Sequence, residues 1–288
     1  MFEASLNAAQ TAIQSHMDGV LAELPDIPIT HAMGHATRGG KRLRGFLVLE
    51  GARLHGIPAD QAIWPACAIE ALHAYSLVHD DLPCMDDDDL RRGAPTVHRK
   101  WDEATAVLAG DALQTLAFDL VTHDLVGSGA VRARMAQTLA KASGAEGMVL
   151  GQALDIAAET SQTPLSLAEI TELQRGKTGA LIEWSACAGP RLAQADETAL
   201  LTYAQALGLA FQIADDVLDV TGDAATVGKA TGKDADAGKA TFVSLLGLDE
   251  AKRRASDLVD SACDALHTYG DQAETLRATA RFVISRNK

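Results

Sequence analysis

HDDLPCMDDDDLRRG, residues 79–93, is the stretch on which the fold and the chemistry of this 288-residue chain depend most. Six of the ten residues from Asp80 to Asp89 are aspartate. Carboxylates at this density repel one another unless cations neutralise them. A solvated acidic face is the competing interpretation, whereas a calcium loop would need alternating ligands, a glycine at the sixth position and a terminal glutamate, which this stretch lacks.

A proline changes how the aspartates of this stretch are placed. Asp80 and Asp86 are six residues apart, so on a straight helix their side chains would point roughly 120° away from each other. Pro83 disfavours continuation of the helix and lets the chain bulge. We therefore expect Asp80 and Asp86 to bind one pair of cations together.

A second acidic cluster, DDVLD, occupies residues 215–219 inside the apolar segment 207–220. Asp215 and Asp219 are four residues apart, so on a helix they share one face, about 40° apart. Carboxylates on the inner face of an apolar helix need partners, and hard divalent cations suit them. The presence of two clusters, the first followed by Arg91 and Arg92, argues against a merely solvated acidic surface.

The composition is that of a soluble globular protein, with 47% hydrophobic and 22% charged residues. A formal charge of −14 disfavours nucleic acid and anionic membrane as partners. Four scattered cysteines and the lack of a secretory signal predict reduced thiols in the cytoplasm. The longest uncharged stretch, residues 198–214, predicts a buried helix, and we expect no stable membrane insertion.

The sequence pattern predicts an all-α protein. Helix-forming residues dominate, aromatic residues make up 4%, and alternating β-branched runs are missing. Ser166 and Glu169 match a capping box at the start of a helix. The Gly-rich stretch 221–241 predicts a mobile loop. Without a linker or repeat, we predict a single domain over residues 1–288 with roughly ten or more helices.

Basic residues recur outside the acidic clusters. The planar guanidinium group binds two phosphate oxygens at once, and Mg²⁺ held by a few carboxylates completes its shell with water and phosphate oxygens. Any one cation alone is more simply a surface charge. Together they indicate two anionic groups, one on the metal ions and one held by basic side chains: Lys41, Arg42, Arg44, Arg91, Arg92, Lys177, Lys229, Lys233 and Lys239.

Six motifs, in the same order along the chain, resemble those of the trans-isoprenyl diphosphate synthases, most closely the bacterial farnesyl diphosphate synthases. They are GGKRLR (39–44), HAYSLVHDDLPCMDDDDLRRG (73–93), GQALD (151–155), GKTGALI (176–182), FQIADDVLD (211–219) and the terminal RNK (286–288). The resemblance implies mostly antiparallel helices around a deep central cavity, of the isoprenoid synthase type. It also implies a homodimer with three Mg²⁺ ions per active site, for which Mn²⁺ can substitute.

The activity that the resemblance implies is a head-to-tail condensation. Dimethylallyl or geranyl diphosphate would react with isopentenyl diphosphate to give farnesyl diphosphate and diphosphate. The allylic C–O bond would ionise because Mg²⁺ and several cations stabilise the departing group. Geranylgeranyl diphosphate synthase is the competing activity.

Site residues carry over from the family one by one. Asp80 and Asp86 match the ligands of two Mg²⁺ ions and Asp215 that of the third, while Asp81, Asp216 and Asp219 match supporting carboxylates. The isopentenyl diphosphate site corresponds to Lys41, Arg44, His73 and Arg92. The allylic diphosphate site corresponds to Arg91, Lys177, Lys229 and Lys239. Gln152 and Asp155 match the GQxxD motif, and Gly45 departs from the family, which usually has proline there.

Two further expectations concern the allylic group. Gly176 and Gly179 flank Lys177 and Thr178, and we expect them to open a helix and turn a carbonyl towards the allylic cation. Gln212 offers a side-chain oxygen for the same purpose, although a structural glutamine in a core helix is the alternative.

Product length is predicted from the helix before Asp80. Ser76 and Tyr75 precede Asp80 by four and five residues, roughly 6–7.5 Å along the helix axis. A bulky side chain there would act as a floor beneath the growing prenyl tail. An ordinary core tyrosine is the alternative. Bacterial farnesyl diphosphate synthases, which the chain resembles, combine an aromatic residue at this position with four residues between the paired and the following aspartate, as in DDLPCMD here, so the resemblance implies the fifteen-carbon product.

Two other protein classes were weighed. A terpene cyclase shares the first aspartate motif, but its second metal site mixes Asn, Ser or Thr and Glu, unlike DDVLD. A non-catalytic partner subunit would have lost one aspartate motif, and both are intact.

Overall fold

The structure is a computed structural model of the chain and describes residues 2–159, 163–221 and 240–285. The predicted all-α class is confirmed: the described residues form more than ten α-helices and one two-stranded hairpin. Two compact units divide the chain, Met1–Ala136 with Ala188–Ala195, and Gln137–Cys187 with Asp196–Lys288. The single domain over residues 1–288 stays a prediction.

The first unit is built on a long apolar helix. Its elements are α1 (Phe2–Ala22), α2 (Pro28–Ala36), α3 (Leu43–Leu54), α4 (Ala59–Asp80), β1 (Leu90–Arg91), β2 (Ala94–Pro95), α5 (Val97–Lys100), α6 (Glu103–Thr122), the 3₁₀ turn Asp124–Val126 and the start of α7 (Gly129–Ser143). Residues 65–72 of α4 are all buried, because α3 and α6 pack against the helix. A helix that is buried all round is a core helix.

A capping side chain and a turn glycine set the boundaries of two of these elements. The Asp102 side chain accepts the Thr105 N–H at 2.6 Å and so caps the start of α6. The antiparallel β1–β2 pair aligns Leu90 with Pro95 and Arg91 with Ala94. Gly93 in the turn has φ 76°, which favours glycine. The hairpin therefore follows directly after the acidic loop.

The second unit is also helical. It contains the end of α7, α8 (Met148–Glu159), α9 (Leu167–Gln174), the π-helix Arg175–Gly179, α10 (Ala180–Ala193), α11 (Thr198–Thr221), α12 (Phe242–Leu246), α13 (Leu248–Ala265), the 3₁₀ helix His267–Ala273 and α14 (Glu274–Ser285), with the end of α10 belonging to the first unit. Ser166 and Glu169 form the expected capping box.

The buried helix predicted at residues 198–214 is confirmed within α11. α11 packs against α13 and α14, and the fully buried Tyr203 donates its hydroxyl to the Leu276 carbonyl at 2.9 Å. By length and composition alone, one described helix, α6, would suffice to cross a membrane. Core helices of soluble proteins pass the same test, so this is weak evidence.

Candidate active site

The acidic loop folds back on the end of α4. The helix ends at Asp80, and the backbone N–H of Asp86 donates to the Asp80 carbonyl at 2.8 Å. Pro83 lies in the exposed turn between them. The expected break at Pro83 is therefore present, and it brings the backbones of the two aspartates together.

Asp81 takes a different role from its neighbours in the loop. It is 3% exposed, and Nε and Nη2 of Arg91 each lie 2.6 Å from its Oδ1. Burial raises the pKa of Asp81, while the hydrogen bond and charge of Arg91 oppose that rise. Arg91 Nη2 also lies 3.7 Å from Asp88. The pairing suits Asp81 as a supporting carboxylate that fixes Arg91 beside the acidic loop.

Cations converge on His73, which lies two helical turns before Asp80 on α4. Its pKa lies well below the ordinary value because the ring is buried and because Arg44, Arg92, Arg91 and Arg42 are positive. An imidazole in this field stays neutral near pH 7. Of the residues predicted to bind isopentenyl diphosphate, Arg44 and Arg92 thus act on His73 electrostatically.

Gly40 provides the space for Arg92. A Cβ atom added at Gly40 would lie 2.6 Å from Cζ of Arg92, and the glycine has φ 81°. Arg92 Nη1 donates to the Arg38 carbonyl at 3.2 Å. Any side chain at position 40 would displace the guanidinium group and strain the backbone.

Glu70 organises the loop before α3, and sequence reasoning missed it. Its buried carboxylate accepts the Gly45 N–H at 2.9 Å and lies 3.4 Å from Nη1 of Arg42. Arg42 is also buried and donates to Gln14 and to the Thr37 carbonyl. Arg42 is therefore a structural cation. The available signal was one glutamate within the otherwise uncharged run of residues 61–72.

Gly45 fits its site closely. Its N–H bond to Glu70 could not be made by proline, which has no backbone N–H. A Cβ atom there would lie 2.6 Å from Cδ1 of Ile13. Glycine in place of the family's usual proline therefore agrees with the hydrogen bond to Glu70 and with the close packing of Ile13.

In the second unit, the DDVLD aspartates differ in their surroundings. Asp216 is 6% exposed and accepts from Nε2 of Gln212 at 3.1 Å and from the Phe242 N–H at 2.8 Å. It therefore holds the start of α12 against α11. Asp215 and Asp219 are half-buried on α11.

The segment around Lys177 is an opened helix. Arg175–Gly179 forms a π-helix, the local widening that the flanking glycines led us to expect. Lys177 Nζ lies 2.7 Å from Oδ2 of Asp155, and Thr178 Oγ1 lies 3.4 Å from Oε1 of Gln212. A Cβ atom at Gly151 would lie 2.0 Å from the backbone nitrogen of Lys177. The GQALD motif thus supplies both space and a counter-charge for Lys177.

The donor chemistry fits magnesium. Mg²⁺ prefers oxygen ligands and is usually held by one or two carboxylates, with water and substrate phosphates completing its shell. Asp80 and Asp86 in one unit, and Asp215 in the other, offer such oxygens. The ranges 2–159, 163–221 and 240–285 hold no group of three or more His, Cys, Asp or Glu side chains in metal-binding proximity.

Some predicted residues lie outside the described residues. They are Lys229, Lys233 and Lys239, residues 222–239 of the loop predicted at 221–241, and the terminal RNK motif. Their assignments stay predictions.

Tyr75 and Ser76 lie on α4 as expected. The Tyr75 ring is 6% exposed and packs edge to face against His79, with centroids 5.7 Å apart. Ser76 donates to the His73 carbonyl at 2.9 Å.

Comparison with known proteins places these contacts in a family. Residues 28–277 match the model of the family described as polyprenyl synthetase. The chain belongs to the polyprenyl synthetase family. A farnesyl diphosphate synthase of Escherichia coli is 44% identical, over 100% of this chain and 99% of that protein. One from Haemophilus influenzae is 43% identical, over 99% and 98%.

A solved structure also supports the assignment of this chain to the polyprenyl synthetase family. The crystal structure described as an apo FPP/GFPP synthase from Zymomonas mobilis has a TM-score of 0.90 and 43% identity, covering 98% of both chains. At that level of identity the likeness extends beyond fold, so both aspartate motifs can be interpreted within one family.

Proposed function

We propose that this polyprenyl synthetase condenses an allylic diphosphate, dimethylallyl or geranyl, with isopentenyl diphosphate to give farnesyl diphosphate. One observation carries the proposal: α4 has a cluster of cations near its middle and an acidic loop at its C-terminal end. His73 lies in the field of Arg44 and Arg92, and Asp80, roughly 10 Å further along the helix, begins the acidic loop. Two diphosphates, one held by cations and one through metal ions, match this arrangement.

Magnesium, when bound, would neutralise the allylic diphosphate and favour its departure. Asp80, Asp86 and Asp215 are its proposed ligands, with three ions per active site and Mn²⁺ as a substitute. The assignment of Asp215 to the same reaction rests on the family resemblance and not on a distance.

The protein side chains would do the rest by binding and orientation. Arg91, fixed by Asp81, presents its guanidinium to the allylic diphosphate, and Lys177 adds an ammonium group. Lys229 and Lys239 are proposed for the same diphosphate. Lys41, Arg44, His73 and Arg92 hold isopentenyl diphosphate. A neutral His73 can donate one hydrogen bond without adding charge.

The bond changes balance as follows. The allylic C1–O bond breaks, and diphosphate leaves with the electron pair. The isopentenyl double bond attacks C1 through its C4, and the resulting cation loses a proton from C2 to the released diphosphate. Thr178 and Gln212 are proposed to direct oxygen dipoles at the transient cation, since preorganised dipoles stabilise developing charge.

The fifteen-carbon product is proposed because buried Tyr75 lies one turn before Asp80 and would limit the tail. Geranylgeranyl diphosphate synthase is the second candidate, since it needs only a deeper channel. A homodimer is proposed because Val107 and Leu108 on α6 are 41% and 49% exposed, an apolar patch suited to a partner. We further propose a cytoplasmic location.

Purified protein, each allylic primer, isopentenyl diphosphate and Mg²⁺ provide the test. The products are dephosphorylated and separated by chromatography. Fifteen-carbon alcohol is expected, and chelation of Mg²⁺ should abolish it. Absence of any condensation product would overturn the proposal and favour a non-catalytic partner subunit, whereas twenty-carbon alcohol alone would favour geranylgeranyl diphosphate synthase.

A further inference from the structure

The Tyr75 ring packs against the ring of His79, four residues further along α4. The two rings are nearly perpendicular, at 84°, with centroids 5.7 Å apart, because residues four apart share one face of α4. His79 in turn contacts α6: its Nε2 lies 3.1 Å from the Val107 carbonyl oxygen. Since a carbonyl only accepts, Nε2 carries the proton, and the ring is fixed in one orientation.

Gly110 makes this contact with α6 possible. A Cβ atom there would lie 2.0 Å from Nε2 and 2.4 Å from Cδ2 of His79. The imidazole thus lies directly on the backbone of α6, in the slot left by the missing side chain. Glycine inside a helix is less stable than alanine, so its presence calls for a packing reason.

The Tyr75 side chain is itself almost fully buried, at 6% exposure. Its ring is therefore confined by the surrounding core and, on the face of α4 that it shares with His79, by an imidazole that has no room to move towards α6.

We propose that His79 and Gly110 are positioning residues that set product length by holding Tyr75 in place, His79 by direct ring contact and Gly110 by fixing His79 against α6. The inference rests on the proposed function, in which Tyr75 is the floor beneath the growing tail. A floor stops growth only if it cannot swing aside, and a tyrosine has two rotatable side-chain bonds. A tail that displaces Tyr75 must break its contact with His79, so weakening that contact lets a longer product form.

Gly110→Ala and His79→Ala test the proposal, with Tyr75→Ala as reference. The ratio of twenty-carbon to fifteen-carbon product should rise about fivefold in each variant, the factor that corresponds to one lost aromatic pair contact. Gly19→Ala is the matched control for Gly110→Ala, because a Cβ there has nothing within 4 Å. His267→Ala, at an exposed position, is the control for His79→Ala. Both controls should keep the wild-type ratio.

The ratio separates positioning from simple destabilisation, which lowers all products in proportion. An unchanged ratio in both the His79 and the Gly110 variant, with Tyr75→Ala shifted, would overturn the inference and leave the proposed function standing. An unchanged ratio in Tyr75→Ala as well would overturn the inference together with the role of Tyr75. A wild type that makes no prenyl product would refute the proposed function itself. If Gly110→Ala does not fold, His79→Ala, which only removes a side chain, decides.

Discussion

Individual carboxylates in this protein have distinct tasks although the sequence presents them as a run. Asp81 pairs with Arg91, and Asp216 accepts from Gln212 and Phe242. Asp80 and Asp86 meet across a turn. The distinction matters because a carboxylate already bound to several protein donors has fewer lone pairs to offer a metal ion.

Asp80→Asn, Asp86→Asn and Asp215→Asn should each reduce turnover by about two orders of magnitude or more, since each removes a proposed charged metal ligand. Circular dichroism should show that the helical content survives. Asp87→Asn, at an exposed neighbouring position, is the matched control and should retain most activity. Near-normal steady-state rates in all three variants would contradict the metal assignment.

Glu70→Ala should destabilise the fold by about 3–5 kcal/mol, because it leaves the buried Arg42 without its anionic partner. Urea unfolding followed by circular dichroism measures the free energy of unfolding. Exposed Glu23→Ala serves as control and should lie within about 0.5 kcal/mol of wild type. A loss at Glu70 no larger than that at Glu23 would show that the Arg42 pair has no structural weight.

At the scale of elements, glycines and helix ends place the functional groups. α4 ends where the acidic loop begins, the π-helix presents Lys177, and Gly151 allows α8 to approach it. π-Helical turns are rare and occur frequently at functional sites. The loop at residues 81–89 is the element whose surroundings should change most when substrate binds.

Cys84 reports on that loop because it is exposed between Asp80 and Asp86. We expect thiol-specific alkylation at Cys84 to slow at least about threefold when Mg²⁺ and a non-reactive allylic diphosphate analogue are added together, since coordination orders the loop. Mass spectrometry of peptides measures the rate. Cys67 is the internal control: it is buried, and burial raises its pKa to about 12. Equal alkylation rates with and without Mg²⁺ and the analogue would argue against metal binding at the loop.

At the scale of the whole molecule, the apolar surface of α6 bears on assembly. Val107 and Leu108 are exposed on a helix whose other side packs against α4. Single exposed apolar residues are ordinary, but two adjacent ones on a long apolar helix favour an interface. The proposed dimer would bury them.

Sedimentation velocity should therefore give about twice the chain mass of 30.2 kDa. Leu108→Glu should weaken association at least about tenfold, because it places a charge in a desolvated interface. Leu125→Glu, at another exposed apolar residue in a different turn, is the control. A monomeric wild type at micromolar concentration would refute the dimer.

The sequence by itself determined the helical class, the buried helix at 198–214, the break at Pro83, the Ser166 capping box and the family. These features depend on local periodicity, on backbone chemistry and on motif order. Only the tertiary structure decided that Arg42 is structural, that Glu70 holds Gly45, that Asp155 faces Lys177 and that Gly110 seats His79. Each of these contacts joins residues that lie 22 to 31 positions apart in the sequence. Contacts at such separations follow from helix packing rather than from any local pattern.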